Sequence, residues 1–145
     1  MVGRLPGGHQ VISTKTKSPL FQIAIDTREQ LPYSFRGFST VVTTLATGDY
    51  SLVGHTNQVA IERKSKADFW QCCASERKRF EHCLQRLASL ERACVVIECN
   101  LRELSVRPDY IQKVSPATVV GSCISWSVQH RLPFFWCDNR SYAER

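Results

Sequence analysis

Nowhere in this chain does an apolar run approach the ~20 residues that a membrane-spanning helix needs, and the N-terminus lacks a secretory hydrophobic core. Neither membrane spanning nor secretion is therefore expected. The seven cysteines (72, 73, 83, 94, 99, 123 and 137) are odd in number and contain no CxxC pair, so a disulfide framework is not expected either. Several fall in apolar stretches, as buried free thiols do, which points to a reducing cytosol, or the nucleus in a eukaryote. Cys72, Cys73, His82 and Cys83 lack the spacing of a standard zinc cluster. Repeats, low-complexity segments and internal linkers are missing as well. Acids are scarce: 13 Asp and Glu against 19 Lys and Arg leave a net charge of +6. That balance favours a polyanionic partner, nucleic acid before others.

What is there reads as one globular domain of 145 residues, 43% hydrophobic and 22% charged. Residues 1–19 carry glycines, prolines, Arg4, Lys15 and Lys17 with little apolar periodicity, and read as a flexible basic tail. The folded domain is expected over residues 20–145. A buried strand over Phe21 to Asp26 ends in an acid, and Pro32 breaks the pattern that follows. Thr40 to Leu45, Asp49 to Val53 and Gln58 to Arg63 read as three antiparallel strands in quick succession. A short helix over Ala67 to Cys73 would turn Phe69, Trp70 and Cys73 inward. A longer one is expected from an N-cap at Ser75 to about Glu91, with Phe80, Cys83, Leu84, Leu87 and Leu90 at helical spacing. Its other face, with Arg77, Lys78, Glu81, Arg86 and Arg92, reads as a basic ridge. Ala93 to Cys99 is an unbroken apolar run suited to a central strand. A loop over Leu101 to Lys113 leads to Ser115-Pro116, which caps a helix to about His130, and Pro133 to Cys137 forms a last strand. The elements predict an α/β fold with a central β-sheet flanked by helices.

The chain's chemistry concentrates in Val59-Ala60-Ile61-Glu62-Arg63-Lys64-Ser65-Lys66-Ala67-Asp68. Strand side chains alternate, so Glu62 and Lys64 share one side and Arg63 takes the other. A carboxylate beside an ammonium at a strand end can hold a metal ion and a water, the equipment for phosphodiester hydrolysis. The ends of the predicted strands also gather Asp26 and Asp49. Clustered carboxylates repel, which raises the pKa of at least one until a cation relieves it, and oxygen-only ligands suit Mg²⁺ or Mn²⁺.

Ile25-Asp26-Thr27-Arg28-Glu29, Gly48-Asp49-Tyr50 and Glu62-Arg63-Lys64 with Asp68 together resemble the XPF family of structure-specific DNA nucleases, within the PD-(D/E)XK superfamily. The family signature is GD, a variable gap, then ERK-x-x-x-D. The similarity runs from about Phe21 to Cys137. It implies a restriction-endonuclease-like core with a central mixed sheet, and a Mg²⁺- or Mn²⁺-dependent endonuclease acting on branched, flap or fork DNA. Asp26, Asp49 and Glu62 would be the metal ligands, and Lys64 would orient the attacking water. Arg28, Glu29, Arg63 and Asp68 would form the supporting shell and phosphate contacts. Arg79 stands where the family has a G-R-[FL]-x-x-Q segment, but Lys78 and His82 replace its glycine and glutamine. Arg77 and Arg79 are the further expected phosphate contacts. The resemblance also implies a homodimer or a partner nuclease subunit, with Trp126 and Phe134-Phe135-Trp136 as the candidate surface. A catalytically silent DNA-binding subunit and a restriction-type sequence-specific endonuclease are the alternatives.

Overall fold

The computed structural model describes residues 20–145, and the basic tail expected over residues 1–19 lies outside the described residues. In chain order the elements are β1 (Gln22–Asp26), β2 (Ser39–Thr43), β3 (Tyr50–Leu52), β4 (Val59–Lys64), α1 (Lys66–Cys73), α2 (Arg77–Ala88), β5 (Arg92–Ile97), α3 (Leu101–Leu104), α4 (Pro116–His130), β6 (Phe134–Trp136) and α5 (Arg140–Glu144). The strands form one mixed sheet in the order β2-β1-β3-β4-β5-β6. No helix among the described residues is long and apolar enough to cross a membrane.

One sequence expectation fails in the sheet. β2 does not join an antiparallel trio with β3 and β4; it runs parallel to β1 at the edge, with Gln22 opposite Ser39 and Asp26 opposite Thr43. Residues 27–38 are long enough for the crossover that parallel pairing requires, and the ring of Phe21 stacks on Phe38 at 5.3 Å to close it. β3 then takes the seat between β1 and β4, antiparallel to both. β4, β5 and β6 are parallel.

The sheet has two unequal cores. On one face Phe69, Trp70, Leu84, Leu87, Val119 and Trp126 of the helices pack on Ala60, Val95 and Ile97. Phe69, Trp70, Leu84 and Leu87 are fully buried, each worth roughly 1.5–3 kcal/mol relative to exposure. On the other face Ile23, Ile25, Tyr33 and Tyr50 form a small cluster, with Ile61, Phe35 and Ala143 against it. The last residues carry no apolar periodicity, yet Arg140–Glu144 form α5, and its Ala143 packs against this second cluster.

Helix ends follow local rules with one exception. Ser65 caps α1 by accepting from the Asp68 N–H, while its hydroxyl donates to Asp68 Oδ2 at 2.7 Å. Ser115 caps α4 with Pro116 in the first turn, as its sequence demands. α2, however, starts at Arg77 after Glu76 without a side-chain cap and ends at Ala88. Ser75 instead donates its hydroxyl to Gln71 Oε1 at 3.0 Å, so it finishes α1 rather than opening α2. The loop expected over residues 101–113 holds α3, capped by Asn100.

Candidate active site

β4 delivers its side chains in strict alternation: Ala60, Glu62 and Lys64 face the helices, whereas Ile61 and Arg63 face the small cluster. Beyond Ala60 the helix-side face opens into a cleft of about 530 Å³. β1 and β4 supply Asp26, Glu62 and Lys64 to it, and the turn before β3 supplies Thr47, Gly48 and Asp49. The facing wall comes from Asp68, Gln71 and Cys72 of α1 and from Glu76, Arg79, Phe80, Cys83 and Arg86 at and within α2.

Gly48 explains why Asp49 can reach this position. Its φ of +79° is left-handed, and a Cβ there would stand 2.9 Å from Ala60 Cβ and 3.1 Å from the Ile61 carbonyl oxygen. Only a glycine lets the turn lie this close on β4. The Asp49 N–H then donates to the Ile61 carbonyl at 2.8 Å, and the Asp49 carbonyl accepts from the Asp26 N–H at 2.9 Å. The aspartate is thereby pinned between β1 and β4, with Oδ2 accepting from the Arg63 N–H at 2.7 Å. Tyr50, the third letter of the motif, is core: it stacks on Tyr33 at 5.1 Å and its hydroxyl accepts from the Tyr33 N–H.

The charges in the cleft are poorly balanced. Burial, reinforced by the Glu62 carboxylate, pushes Asp49 up to about 7. Lys64 Nζ lies 2.6 Å from Glu62 Oε1 and 5.5 Å from the Phe80 ring centroid. Burial opposes the ammonium, but Glu62 more than offsets it, so the Lys64 pKa is raised and the group is cationic at neutral pH. Cys72 and Cys83 are thiols pushed up to about 12 by burial, so neither is a nucleophile here. Among the described residues Thr47 Oγ1 is the buried side-chain oxygen without a hydrogen-bond partner, and it lines the cleft. No motif marks it; a β-branched hydroxyl directly before Gly-Asp is its only sequence signal.

Asp26 reaches the cleft in a different state. Both of its oxygens are engaged: Arg28 donates from Nε at 2.7 Å and from Nη2 at 3.1 Å, and the Leu45 N–H donates at 2.7 Å. Burial works against its charge, but these donors win and hold the carboxyl below its ordinary range. Accordingly, no three His, Cys, Asp or Glu side chains among the described residues converge to hold a metal. That includes the cysteine-rich segment, where Cys73 faces away from the cleft that Cys72 and Cys83 line. The donor set that fits a hard divalent cation is Asp49 with Glu62: two carboxylates whose mutual repulsion a cation would relieve, leaving positions for water and phosphate. Asp26 stands behind Asp49 and aims Arg28, whose side chain is 69% exposed at the cleft.

Two expected phosphate contacts face elsewhere. Arg63, 11% exposed, is held by Glu29 through Nε and Nη2, both at 2.9 Å, and by Glu98 at 3.1 Å, not by Asp68. Glu29 is 5% exposed and turned to the same side. Arg77 leaves the basic ridge to cross to α4: it pairs with Glu81 at 3.1 Å, donates to Ser122 at 2.8 Å and lies 4.7 Å over the Trp126 ring. Trp126 is itself 1% exposed and belongs to the core. Arg79 and Arg86 do line the cleft.

The sequence reading missed Glu98 and Arg140. Glu98 accepts from Tyr33 Oη, Arg63 and Arg140, and Arg140 also donates to the Leu31 and Pro32 carbonyls. An acid closing an apolar strand, as Asp26 does, was the available signal for Glu98.

Among curated proteins none matches the sequence. XPF from Aeropyrum pernix is similar in structure, with a TM-score of 0.66 at 16% identity, over 85% of this chain and 59% of that one. The same archaeal XPF in complex with DNA gives a TM-score of 0.63 at 16% identity, over 82% of this chain and 57% of that one. This chain thus spans less than two thirds of the solved proteins, and what is shared is the nuclease fold. The family model described as the ERCC4 domain matches residues 25–144, nearly all of the described sheet and helices, and the chain belongs to that family.

Proposed function

We propose that this domain is a DNA endonuclease that requires Mg²⁺ or Mn²⁺ and cuts phosphodiester bonds at branched, flap or fork structures. The observation that carries the reading is the cleft in which Asp49, Glu62 and Lys64 meet at the ends of β3 and β4, with Arg28, Arg79 and Arg86 around them. Asp49 and Glu62 would hold the metal, which when bound polarises the phosphoryl oxygen and lowers the pKa of a water. Lys64, cationic beside Glu62, donates to the attacking oxygen and stabilises the charge that develops at phosphorus. Thr47 Oγ1, the unpartnered hydroxyl, donates to a phosphate oxygen. The exposed guanidinium of Arg28, fixed by Asp26, and those of Arg79 and Arg86 take the flanking phosphates. Cleavage leaves 5′-phosphate and 3′-hydroxyl ends, as in the family the chain resembles.

The test is incubation with flap, fork, splayed and linear DNA, with and without Mg²⁺. Metal-dependent cutting that prefers the branched substrates supports the reading; a wild-type domain that cuts none of them in either Mg²⁺ or Mn²⁺ contradicts it.

A further inference from the structure

A second cavity, of about 630 Å³, lies on the far side of Gln71 from the cleft, between the α1–α2 turn and the segment before α4. Gln71 lines both spaces and so stands on the border between them. The volume falls within the range of pockets that enclose small organic groups. Cys73, Ala74 and Ile111 give it apolar lining, and Tyr110, 62% exposed, presents an aromatic ring. Lys113 adds a solvent-exposed cation. Gln71 accepts from the Ser75 hydroxyl through Oε1, which leaves its amide N–H groups to donate. An apolar floor, a free aromatic face, an amide and one cation match an unpaired nucleotide: stacking for the base, hydrogen bonds for its edge, and charge for its phosphate.

From this we infer that the cavity is a subsite for an unpaired nucleotide of a single-stranded arm that leaves the cleft past Gln71. The inference rests on the nuclease reading above and supplies it with a source of preference for branched DNA. Continuity with the cleft decides for this occupant. A strand whose scissile phosphate sits at Asp49 and Glu62 has Gln71 beside it, and only an unpaired base can turn its ring face onto Tyr110. A base stacked inside a duplex exposes no such face.

The experiment measures binding apart from cutting, in metal-free buffer at fixed salt. A splayed fork with single-stranded arms and a blunt duplex of equal length are titrated against wild type, Tyr110→Ala, Tyr110→Phe and Lys113→Ala. Photocrosslinking of a short oligonucleotide carrying 5-iodouracil reports whether Tyr110 meets a base. Tyr110→Ala is expected to weaken fork binding about 5- to 150-fold, the range for a lost base–aromatic stack, with duplex affinity unchanged. Tyr110→Phe keeps the stack and should hold the wild-type value; Lys113→Ala should lower fork affinity and its salt dependence. An unchanged fork-to-duplex ratio in Tyr110→Ala overturns the subsite, as does a wild-type crosslink that maps away from Tyr110. A crosslink at Tyr110 in a protein that cuts no DNA upholds the subsite and removes the nuclease reading instead.

Discussion

On one face of β4, Arg63 is 11% exposed and meets Glu29 and Glu98 at 2.9–3.1 Å, with Arg140 closing the far side of Glu98. On the other face, two residues' reach away, Asp49 is pushed up to about 7, Lys64 must serve Glu62, and Thr47 Oγ1 has no partner. The same strand carries both, and neighbouring letters of one motif fall on opposite sides. Where each charge has its counter-charge, the arrangement ties β1, β4, β5 and α5 together. Where the charges are left unbalanced, the surface carries the groups on which the proposed metal site rests. Frustrated electrostatics beside satisfied electrostatics is how a small domain separates holding its shape from doing chemistry.

The largest expected effect breaks the satisfied face. Arg63→Met should cost about 3–5 kcal/mol of stability, because Glu29 would be left buried without its counter-ion and Glu98 would keep Arg140 alone. Urea unfolding measures it; a loss within a few tenths of a kcal/mol would mean the network is ornamental. On the open face, Asp49→Asn, Glu62→Gln and Lys64→Ala should each lower cleavage ~10²-fold or more, and Asp49→Asn should melt no earlier than wild type in metal-free buffer. A Glu62→Gln variant that cuts at the wild-type rate contradicts the assignment. Thr47→Val keeps shape and burial but removes the hydroxyl. If that group meets the phosphate, turnover should fall about tenfold in single-turnover assays, Thr47→Ser should restore it, and stability should hold, since no hydrogen bond is lost. A valine variant that cuts normally assigns Thr47 to packing.

The smallest effects concern grip. Arg79→Ala and Arg86→Ala should each flatten the slope of log K against log salt by about 0.9, the value for one duplex phosphate contact. Arg77→Ala should leave that slope alone and lower the melting temperature, because its guanidinium clamps α2 to α4 through Glu81, Ser122 and Trp126. Equal slope changes in all three would return Arg77 to the phosphate-binding surface.

Much of this division was legible before any coordinates. Period-two alternation alone separates Glu62 and Lys64 from Arg63, and Phe69, Trp70 and Cys73 mark the inward side of the short helix that follows. Helical spacing of Phe80, Cys83, Leu84 and Leu87 located the buried stripe of α2. Non-local facts were not legible. Strand order is decided by which neighbour offers a better edge, so the parallel seat of β2 beside β1 has no local signature. The destination of a long cation is likewise open in sequence. Arg77 could reach solvent or α4, and only the position of Trp126 and Ser122 decides. Arg140 meets Leu31 and Pro32 from more than a hundred residues away. The separate state of Asp26 rests first on Arg28, two residues along the chain, and then on the Leu45 N–H, a tertiary contact.

Satisfied and unsatisfied carboxylates also predict opposite responses to pH, even within the cleft that Asp26 and Asp49 share. Asp26 and Glu29 have lowered pKa values, so the stability they lend is present above the ordinary carboxylate range and is lost on acidification. Asp49 is raised from 3.8 to about 7, so its contribution is full below pH 4 and is lost as pH rises through 7. Asp49→Asn should therefore gain stability over wild type at pH 8 without metal, with the gain vanishing near pH 4. The most direct measurement is carboxyl-carbon NMR of aspartate-labelled protein, titrated with and without Mg²⁺. Asp49 should titrate near 7 in metal-free buffer and move to markedly lower pH with Mg²⁺, while Asp26 titrates below the ordinary aspartate range in both. An Asp49 that titrates in the ordinary carboxylate range and ignores Mg²⁺ would contradict the unbalanced cleft and the metal site built on it.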